Sequence, residues 1–360
     1  MATPSDDNRP AEYFDAVARN VLGAAEGDEF QELAGRDDFD AHRFKEILRK
    51  NLVTVHALAG VDLSDAARWG DMQQILANEK QRVAGGLSVI QRLAARLEES
   101  GQAYAIIKTL DQYPDMGHDI DFLIVDSPER VSEIVMSEFN GEIKSPSISD
   151  RLAHKTNYRV RGYPTLEQHC GRLGQVGEER ALVRGLMERR TTIEMEGQPI
   201  RVPGPEHRII LAVLQRILRH FNIRICDLVN LQQIVLHGGV DWDHLFQIGR
   251  ELGLQRAIHY YLAFVDEICA RYTGKSLLPG EVRDKLVVSG DRYKLHVLRD
   301  HYRFPVGKVG RSVYTAKYAN HLKRFELSSA LRLLLVPAFA VFTYSNIKFF
   351  PQWPVWKRLW

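Results

Sequence analysis

The segment AIIKTLDQYPDMGHDIDFLIV, from Ala105 to Val125, joins two short apolar runs through a turn-rich stretch. Both runs are rich in β-branched residues, as buried strands are, and Pro114 and Gly117 lie between them. Asp119 and Asp121 stand at the start of the second run. Because side chains alternate along a strand, these two carboxylates should share one face, about 6.5–7 Å apart along the backbone. The segment therefore predicts two strands and a pair of acids aimed at one place.

Two interpretations of this pair are open. In the first, Asp119 flanks the strand and Asp121 is an ordinary solvated residue, since a D-x-D pair is common by chance. In the second, a divalent cation offsets the repulsion between the carboxylates. Mg²⁺ prefers oxygen ligands, takes one or two carboxylates, and completes its shell with substrate phosphates and water. The second interpretation predicts phosphoryl-transfer chemistry.

Composition indicates a globular protein with a sizeable core. Of the 360 residues, 45% are hydrophobic and 26% are charged, and the formal net charge is only +2. The cysteines, Cys170, Cys226 and Cys269, form no CxxC pair, so neither a disulfide framework nor a zinc site is indicated. The polar N-terminus has no apolar signal-peptide core, and we expect a cytoplasmic location.

The pattern of apolar residues divides the chain into four parts. Residues 1–80 are predicted to be an N-terminal helical segment, 81–203 a mixed core, 204–300 a helical domain, and 301–360 a basic aromatic tail. One long helix is expected up to Gly101, which Gly85 and Gly86 could break into two. The predicted fold class is α+β, with a small mixed β-sheet core, N-terminal helices and a C-terminal helical domain.

The tail differs from the rest of the chain in charge. From His301 to Trp360 there are ten Lys or Arg residues against one acid, and 13 of the 33 aromatic residues. The uncharged stretch between Arg332 and Lys348 is shorter than the roughly 20 residues that span a bilayer. A peripheral membrane contact and packing of residues 333–342 on the protein body are both open. Within the tail, GKVGRS (307–312) lacks the spacing of a P-loop and is predicted to be a basic surface loop.

The order of these features resembles a known family. A strand ending in Lys108, a loop with Pro and Gly, and DIDFLIV are similar to the nucleotidyltransferase superfamily that includes DNA polymerase beta. More narrowly, the chain resembles the uncharacterised nucleotidyltransferases. TLEQHC is similar to that family's VDLHW-like strand, and PEHRIILAVLQRILRHF through VDWDHLFQIGRELGL follows its helical region. The resemblance runs from about Lys80 to Glu267.

The resemblance implies site residues and their roles. It implies that Asp119, Asp121 and Glu167 bind the metal and carry catalysis. It places Lys108, Thr109 and His118 near the nucleotide, although Thr109 stands where the family usually has Gly. Further residues of open role are Glu194, a rival third acid, and Asp227, which could orient the acceptor or simply cap a helix.

The implied activity is transfer of a nucleoside monophosphate from an NTP to an acceptor, with Mg²⁺ or Mn²⁺ as cofactor and release of pyrophosphate. Two alternatives remain. The first is a catalytically inert interaction protein that binds a membrane surface through its tail, or nucleic acid, for which no motif is present. The second is a kinase-like phosphotransferase. The acceptor could be a sugar, an antibiotic, a tRNA end or a protein side chain.

Overall fold

The computed structural model describes residues 9–23, 29–162, 164–237, 239–287, 296–298 and 300–335. It confirms the predicted α+β class, because a small mixed sheet is flanked by helices on both sides in the chain. The four boundaries predicted from the sequence stay predictions.

Six helices precede the sheet in the described residues 9–23 and 29–99. The sixth is long and unbroken. Gly86 lies inside it at a point of close packing, where a β-carbon would come within 2.9 Å of Met116 Cε. Gly86 therefore allows the turn before β2 to approach the helix, whereas a β-carbon at Gly85 would meet nothing within 4 Å. The six helices are α1 (Arg9–Val21), α2 (Glu29–Ala34), α3 (Ala41–Asn51), α4 (Thr54–Leu58), α5 (Ala66–Trp69) and α6 (Met72–Glu99).

A five-stranded sheet forms the centre of the mixed core, with strand order β1-β2-β5-β4-β3. β2 and β5 are parallel, and the other neighbouring pairs are antiparallel. The strands are β1 (Tyr104–Ile106), β2 (Asp119–Ile124), β3 (Glu142–Ile143), β4 (Lys155–Arg159) and β5 (Thr165–Cys170), with helices α7 (Pro128–Phe139) and α8 (Ile148–Ala153) between them. A short 3-10 helix, Thr109–Gln112, follows β1.

A separate hairpin and then a helical region follow the sheet. The hairpin turns at Glu196 and Gly197, both with positive φ. The elements are α9 (Ala181–Glu188), β6 (Thr191–Met195), β7 (Gln198–Val202), α10 (Pro205–Val213), a π-helix (Leu214–His220), β8 (Asn222–Ile223), α11 (Ile225–Leu236), α12 (Trp242–Glu251), α13 (Gln255–Thr273), α14 (Gly280–Asp284), β9 (His296–Leu298), β10 (His301–Arg303) and α15 (Val306–Lys323).

The described part of the tail begins with the short strand β10 and is otherwise mostly helical. Residues 307–312 lie in α15, so the prediction of a surface loop there is wrong. The helix forms despite its glycines because it packs on the body, where a β-carbon at Gly310 would lie 3.5 Å from the Phe221 ring. Residues 327–335 are also helical, whereas the rest of the predicted membrane-contacting segment, 336–360, lies outside the described residues. No helix in the described ranges is both long and apolar enough to cross a membrane.

Two main hydrophobic clusters hold together the part of the chain that the structure describes. One surrounds the face of the sheet that α6 and α7 cover, and includes Ile120, Phe122 and Ile124. The other joins the N-terminal helices to the C-terminal ones and reaches the opposite sheet face at Ala105 and Leu123. The acids of β2 alternate with the first cluster and therefore point toward the helical region.

Candidate active site

Strands β2 and β5 place their acids side by side. The parallel register pairs Asp119 with Thr165 and Asp121 with Glu167. His169 lies two residues after Glu167 and so projects on the same side of the sheet. One face of the sheet thus carries all three predicted acids and an imidazole.

His169 connects the two central carboxylates. Its Nε2 lies 2.9 Å from Glu167 Oε1 and 3.1 Å from Asp121 Oδ1. The three residues each offer one possible ligand atom, and these atoms lie within 4.8 Å of one another. No second group of this kind occurs in the part of the chain that the structure describes. The arrangement is therefore the candidate metal site.

Two lysines neutralise this group. Lys108 Nζ lies 2.7 Å from Asp121 Oδ1, and Lys155 Nζ lies 2.6 Å from Glu167 Oε1. Burial alone would raise the pKa of Glu167, but Lys155 and the hydrogen bond from His169 outweigh it and hold that pKa well below its usual range. The site consequently combines anions suited to a metal with cations suited to phosphate.

Asp119 stands at the mouth of this group rather than inside it. Partial removal from water, then repulsion from Asp121 and Glu167, raises the pKa of its carboxyl to about 6. The residue is nevertheless exposed, at the first position of β2. Like charges therefore meet here at a real cost, which an added cation would relieve.

Thr109 and His118 occupy the two ends of the connection between β1 and β2. Thr109 is buried, and its Oγ1 accepts a hydrogen bond from the backbone N–H of Asp121 at 2.9 Å. Its hydroxyl thus fixes β2 in position. His118 is exposed directly before the strand, and partial removal from water, followed by Arg82, lowers its pKa. Nucleotide binding by either residue stays a prediction.

The turn before β2 is held by α6. Arg82 donates from Nη2 to the carbonyl oxygen of Met116 at 2.6 Å and from Nη1 to that of Gly117 at 2.8 Å. Because both bonds are made to backbone oxygens, they hold the turn in place without using the side chains of the turn. This contact positions the acid-bearing strand from outside the sheet.

A cleft of about 510 Å³, counted to its open mouth, lies beside these residues. One wall is residues 171–179 after β5, which we call the cleft loop, and the other is formed by α10 and the π-helix. π-helical turns recur at functional sites. The lining residues are Lys108, Lys155, His169, Leu173, Gly174, Gln175, Glu178, Leu211, Leu214, Gln215, Leu218 and Arg219.

Two other acids considered in the sequence lie in different surroundings. Glu194 is exposed on β6, opposite Pro199 in the separate hairpin. Asp227 is buried, accepts a hydrogen bond from Arg216 Nε at 2.7 Å and another from the N–H of Arg224 at 2.7 Å. The structure gives Asp227 the setting of a buried ion pair and a helix cap.

Sequence reasoning missed two residues of the site. His169 matches the histidine of the family's strand, and its position two residues after Glu167 puts it on the acid face, yet the sequence alone did not identify it as a ligand. Lys155 carried no local signal. It reaches Glu167 only because β4 pairs with β5, which brings Asn157 opposite Glu167 and Lys155 opposite His169.

Comparisons with known proteins bear on this site. The family described as "Uncharacterised nucleotidyltransferase" matches residues 41–270. No curated protein matches the sequence. Among solved structures, the chain is similar to an antigenic nucleotidyltransferase-like protein from Paracoccidioides brasiliensis, with a TM-score of 0.39 and 16% identity over 57% of this chain and 99% of that one. It is also similar to the antibiotic-resistance factor ANT(2'')-Ia, with a TM-score of 0.34 and 12% identity over 52% of this chain and 97% of the other.

The family match covers well over half of the 360 residues and includes every site residue described above. The resemblance noted in the sequence is thereby confirmed. This chain belongs to the family of uncharacterised nucleotidyltransferases.

Proposed function

We propose that the protein transfers a nucleoside monophosphate from an NTP to a hydroxyl-bearing acceptor and releases pyrophosphate, with Mg²⁺ or Mn²⁺ as cofactor. The observation that carries the proposal is the in-register pairing of Asp121 with Glu167, bridged by His169, beside the cleft. Membership of the family supports the nucleotidyltransferase class. Metal dependence rests on Asp121, Glu167 and His169, whose possible ligand atoms lie within 4.8 Å of one another.

The residues fit a divalent metal. Asp121 and Glu167 supply the oxygen atoms that hard cations prefer. His169 supplies a nitrogen, which Mn²⁺ accepts more readily than Mg²⁺ does. The raised pKa of Asp119 reflects its removal from water and the excess of negative charge at the cleft mouth. When bound, the metal would supply Lewis acidity that neutralises charge on phosphate oxygens.

The protein's own groups would bind and orient the nucleotide. Lys108 and Lys155 both line the cleft, where their ammonium groups can contact phosphate oxygens. Glu167 is held as a carboxylate by Lys155, so its negative charge is available to a metal; because its pKa is lowered it is a weak base, and it would help the acceptor hydroxyl by orienting it. Apolar side chains on α10 and the π-helix form a wall that excludes water from one side. Catalysis would be mainly positioning and charge neutralisation.

The direct test is nucleotide turnover by the purified chain. Each of the four NTPs is offered with Mn²⁺ or Mg²⁺ and with a panel of sugar, aminoglycoside, RNA and peptide acceptors. Pyrophosphate release together with a mass gain of one NMP on an acceptor is the expected result. Release of ADP with a phosphorylated acceptor would instead establish the kinase-like alternative. Nucleotide binding without any turnover across the panel, unchanged by Asp121→Asn, would favour the inert protein.

A peripheral lipid contact is a second candidate, favoured by an exposed apolar face on residues 325–335. Phe325 is 88% exposed, and Leu331 is 64% exposed. Leucines at Leu327 and Leu334 are also exposed and lie near them at helical spacing. The net charge of +9 over residues 301–360 would add attraction to anionic lipid.

Sedimentation with vesicles of phosphatidylserine and phosphatidylcholine tests this contact. The wild-type chain should bind, and Leu331→Asp with Leu334→Asp should bind at least 10-fold more weakly. A double variant that sediments as well as wild type would eliminate this face as the lipid contact.

The expected cytoplasmic location stays a prediction, consistent with the three free cysteines.

A further inference from the structure

Helix α15 and the helical residues 327–335 lie beyond the family-matched region, which ends at residue 270. They nevertheless contact both walls of the cleft. Lys317, on α15, forms an ion pair with Glu179 at the end of the cleft loop. Tyr314, one turn earlier, donates its hydroxyl hydrogen to the carbonyl oxygen of Leu218 on the π-helix.

The Lys317–Glu179 pair is the most buried of these contacts. The two side chains are 0% and 2% exposed. Burying both charges is costly, and removing one partner leaves the other charge buried and unpaired. Such a pair is therefore sensitive to small displacements, and it defines how closely α15 approaches the loop.

Glu179 connects the ion pair with Lys317 to a residue that lines the cleft. Its backbone exchanges two hydrogen bonds with Leu173, at 3.0 and 3.2 Å, which close the cleft loop at its base. Leu173 and the adjacent Glu178 both line the cleft. Gly174 approaches Glu178 so closely that a β-carbon there would lie 2.4 Å from its carboxylate. The loop is tightly folded, so its base determines where its lining residues lie.

The 327–335 helix holds the same loop at a second point. Arg332 donates from Nη1 to the carbonyl oxygen of Val176 at 2.8 Å, and Leu333 packs against the Val176 side chain. Val176 is fully buried. The C-terminal helices thus touch the loop at its base and at its middle, while Tyr314 touches the opposite wall.

We propose that Lys317 is a positioning residue that fixes the cleft loop, through Glu179, in the conformation that binds the nucleotide. The C-terminal helices would then be a built-in part of the nucleotide cleft that the family-matched region alone does not contain. The assignment of a nucleotide to this cleft rests on the proposed function. The mechanical part, the dependence of the loop on Lys317, does not.

The first experiment measures that dependence without any substrate. Amide hydrogen exchange, followed by mass spectrometry, is compared in the full-length wild type and Lys317→Met. Peptides covering residues 173–179 should exchange at least 10-fold faster in the variant. The matched control is Asn320→Ala, which removes a 2.9 Å hydrogen bond from α15 to Glu251 O, away from the cleft. Equal exchange in wild type and Lys317→Met, or an equal increase in the control, would overturn the proposal.

The second experiment measures function. In Lys317→Met the KM for the NTP should rise about 10-fold while kcat changes less than about threefold, because the metal-site strands are untouched. Lys317→Arg, which keeps the charge, should recover most of the affinity. A fall in kcat together with a rise in KM, both following the loss of thermal stability in Lys317→Met and in Asn320→Ala, would show a merely structural role.

Two safeguards keep the outcomes separate. If Lys317→Met does not fold, the double variant Lys317→Met with Glu179→Gln is used, because it leaves no buried charge unpaired; peptides covering residues 173–179 should again exchange faster than in wild type, and unchanged exchange there overturns the proposal. If wild type turns over no NTP, the proposed function fails, and the exchange experiment still decides whether Lys317 positions the loop.

Discussion

Asp121 and Glu167 lie directly opposite each other in the parallel β2–β5 pair, with His169 Nε2 within 3.1 Å of both carboxylates. Parallel neighbours in register bring side chains of the same face close together. Lys108 and Lys155 contact the same two oxygens, Asp121 Oδ1 and Glu167 Oε1, that face His169. A site of this kind needs little loop structure, because the sheet itself sets the spacing of the acids.

Removal of either central carboxylate should abolish turnover while preserving the fold. Asp121→Asn and Glu167→Gln are each expected to lower kcat by about 100-fold or more, the usual effect of removing one group that stabilises transition-state charge. Steady-state pyrophosphate release measures this. The matched control is Glu194→Gln, an exposed acid of the separate hairpin, which should keep kcat within about twofold. Loss of activity in Glu194→Gln instead would make Glu194 the third acid.

Metal binding should be measurable as stability. Mn²⁺ at 100 times its dissociation constant should raise the free energy of unfolding by about 2.7 kcal/mol if it binds only the folded chain. Chelation with EDTA should reverse the gain. Asp121→Asn should remove it, and Glu194→Gln should retain it, in urea titrations followed by circular dichroism. A gain that survives Asp121→Asn would place the metal elsewhere.

Lys155 should matter for the nucleotide as well as for Glu167. Lys155→Met removes a cation that lines the cleft and lies 2.6 Å from Glu167, so NTP affinity should fall about 10-fold or more. Titration with a fluorescent NTP analogue measures the dissociation constant. Lys275→Met, at an exposed position after α13, is the control and should bind like wild type. Unchanged affinity in Lys155→Met would remove Lys155 from the phosphate site.

How far the sequence predicts the site depends on the range of each contact. The strand carrying Asp119 and Asp121 could be predicted because its pattern is local. The bond between His169 and Asp121 joins residues 48 apart in the chain, and only the pairing of β2 with β5 creates it. Lys155 enters through a second pairing, of β4 with β5. Non-local pairing leaves little local signal, so a resemblance located Glu167 and nothing located Lys155.

Local signals also failed where packing outweighs propensity. Gly85 and Gly86 could have divided α6, but the helix continues and uses the missing β-carbon to admit Met116. The glycines of 307–312 lie in α15 because that helix contacts the π-helix and the cleft loop. Tertiary contacts commonly outweigh the low helix propensity of a few glycines.

The pH dependence of stability should reveal a buried acid outside the catalytic group. Asp115 is 1% exposed and accepts hydrogen bonds from the N–H groups of Val55 and His56 at 2.8 and 2.9 Å. Burial raises the pKa of its carboxyl from 3.8 to about 6. The folded state therefore holds this proton more tightly than the unfolded state, and stability is lost as the pH rises from about 4 through 6.

The variant Asp115→Asn should lack this loss. The free energy of unfolding of the variant minus that of wild type should be about 3 kcal/mol larger at pH 7.5 than at pH 4, since each pKa unit corresponds to about 1.4 kcal/mol. Urea unfolding at both pH values measures the difference. Asp62→Asn should show the opposite sign, because hydrogen bonds from Ser64 lower the pKa of that exposed carboxyl. Equal pH dependence in wild type and Asp115→Asn would show that Asp115 is already ionised when buried.

A last prediction separates structure from catalysis at Asp227. Asp227→Ala would leave the Arg216 guanidinium buried without its partner, since the two side chains are 6% and 2% exposed. Removing one member of such a pair costs about 3–5 kcal/mol of stability. Urea unfolding should show this loss, while the turnover rate of the folded fraction at low temperature should stay within about twofold of wild type. If turnover instead fell about 100-fold in fully folded protein, Asp227 would be a participant in the reaction. A residue that only caps a helix and pairs with a buried arginine does not stabilise the transition state.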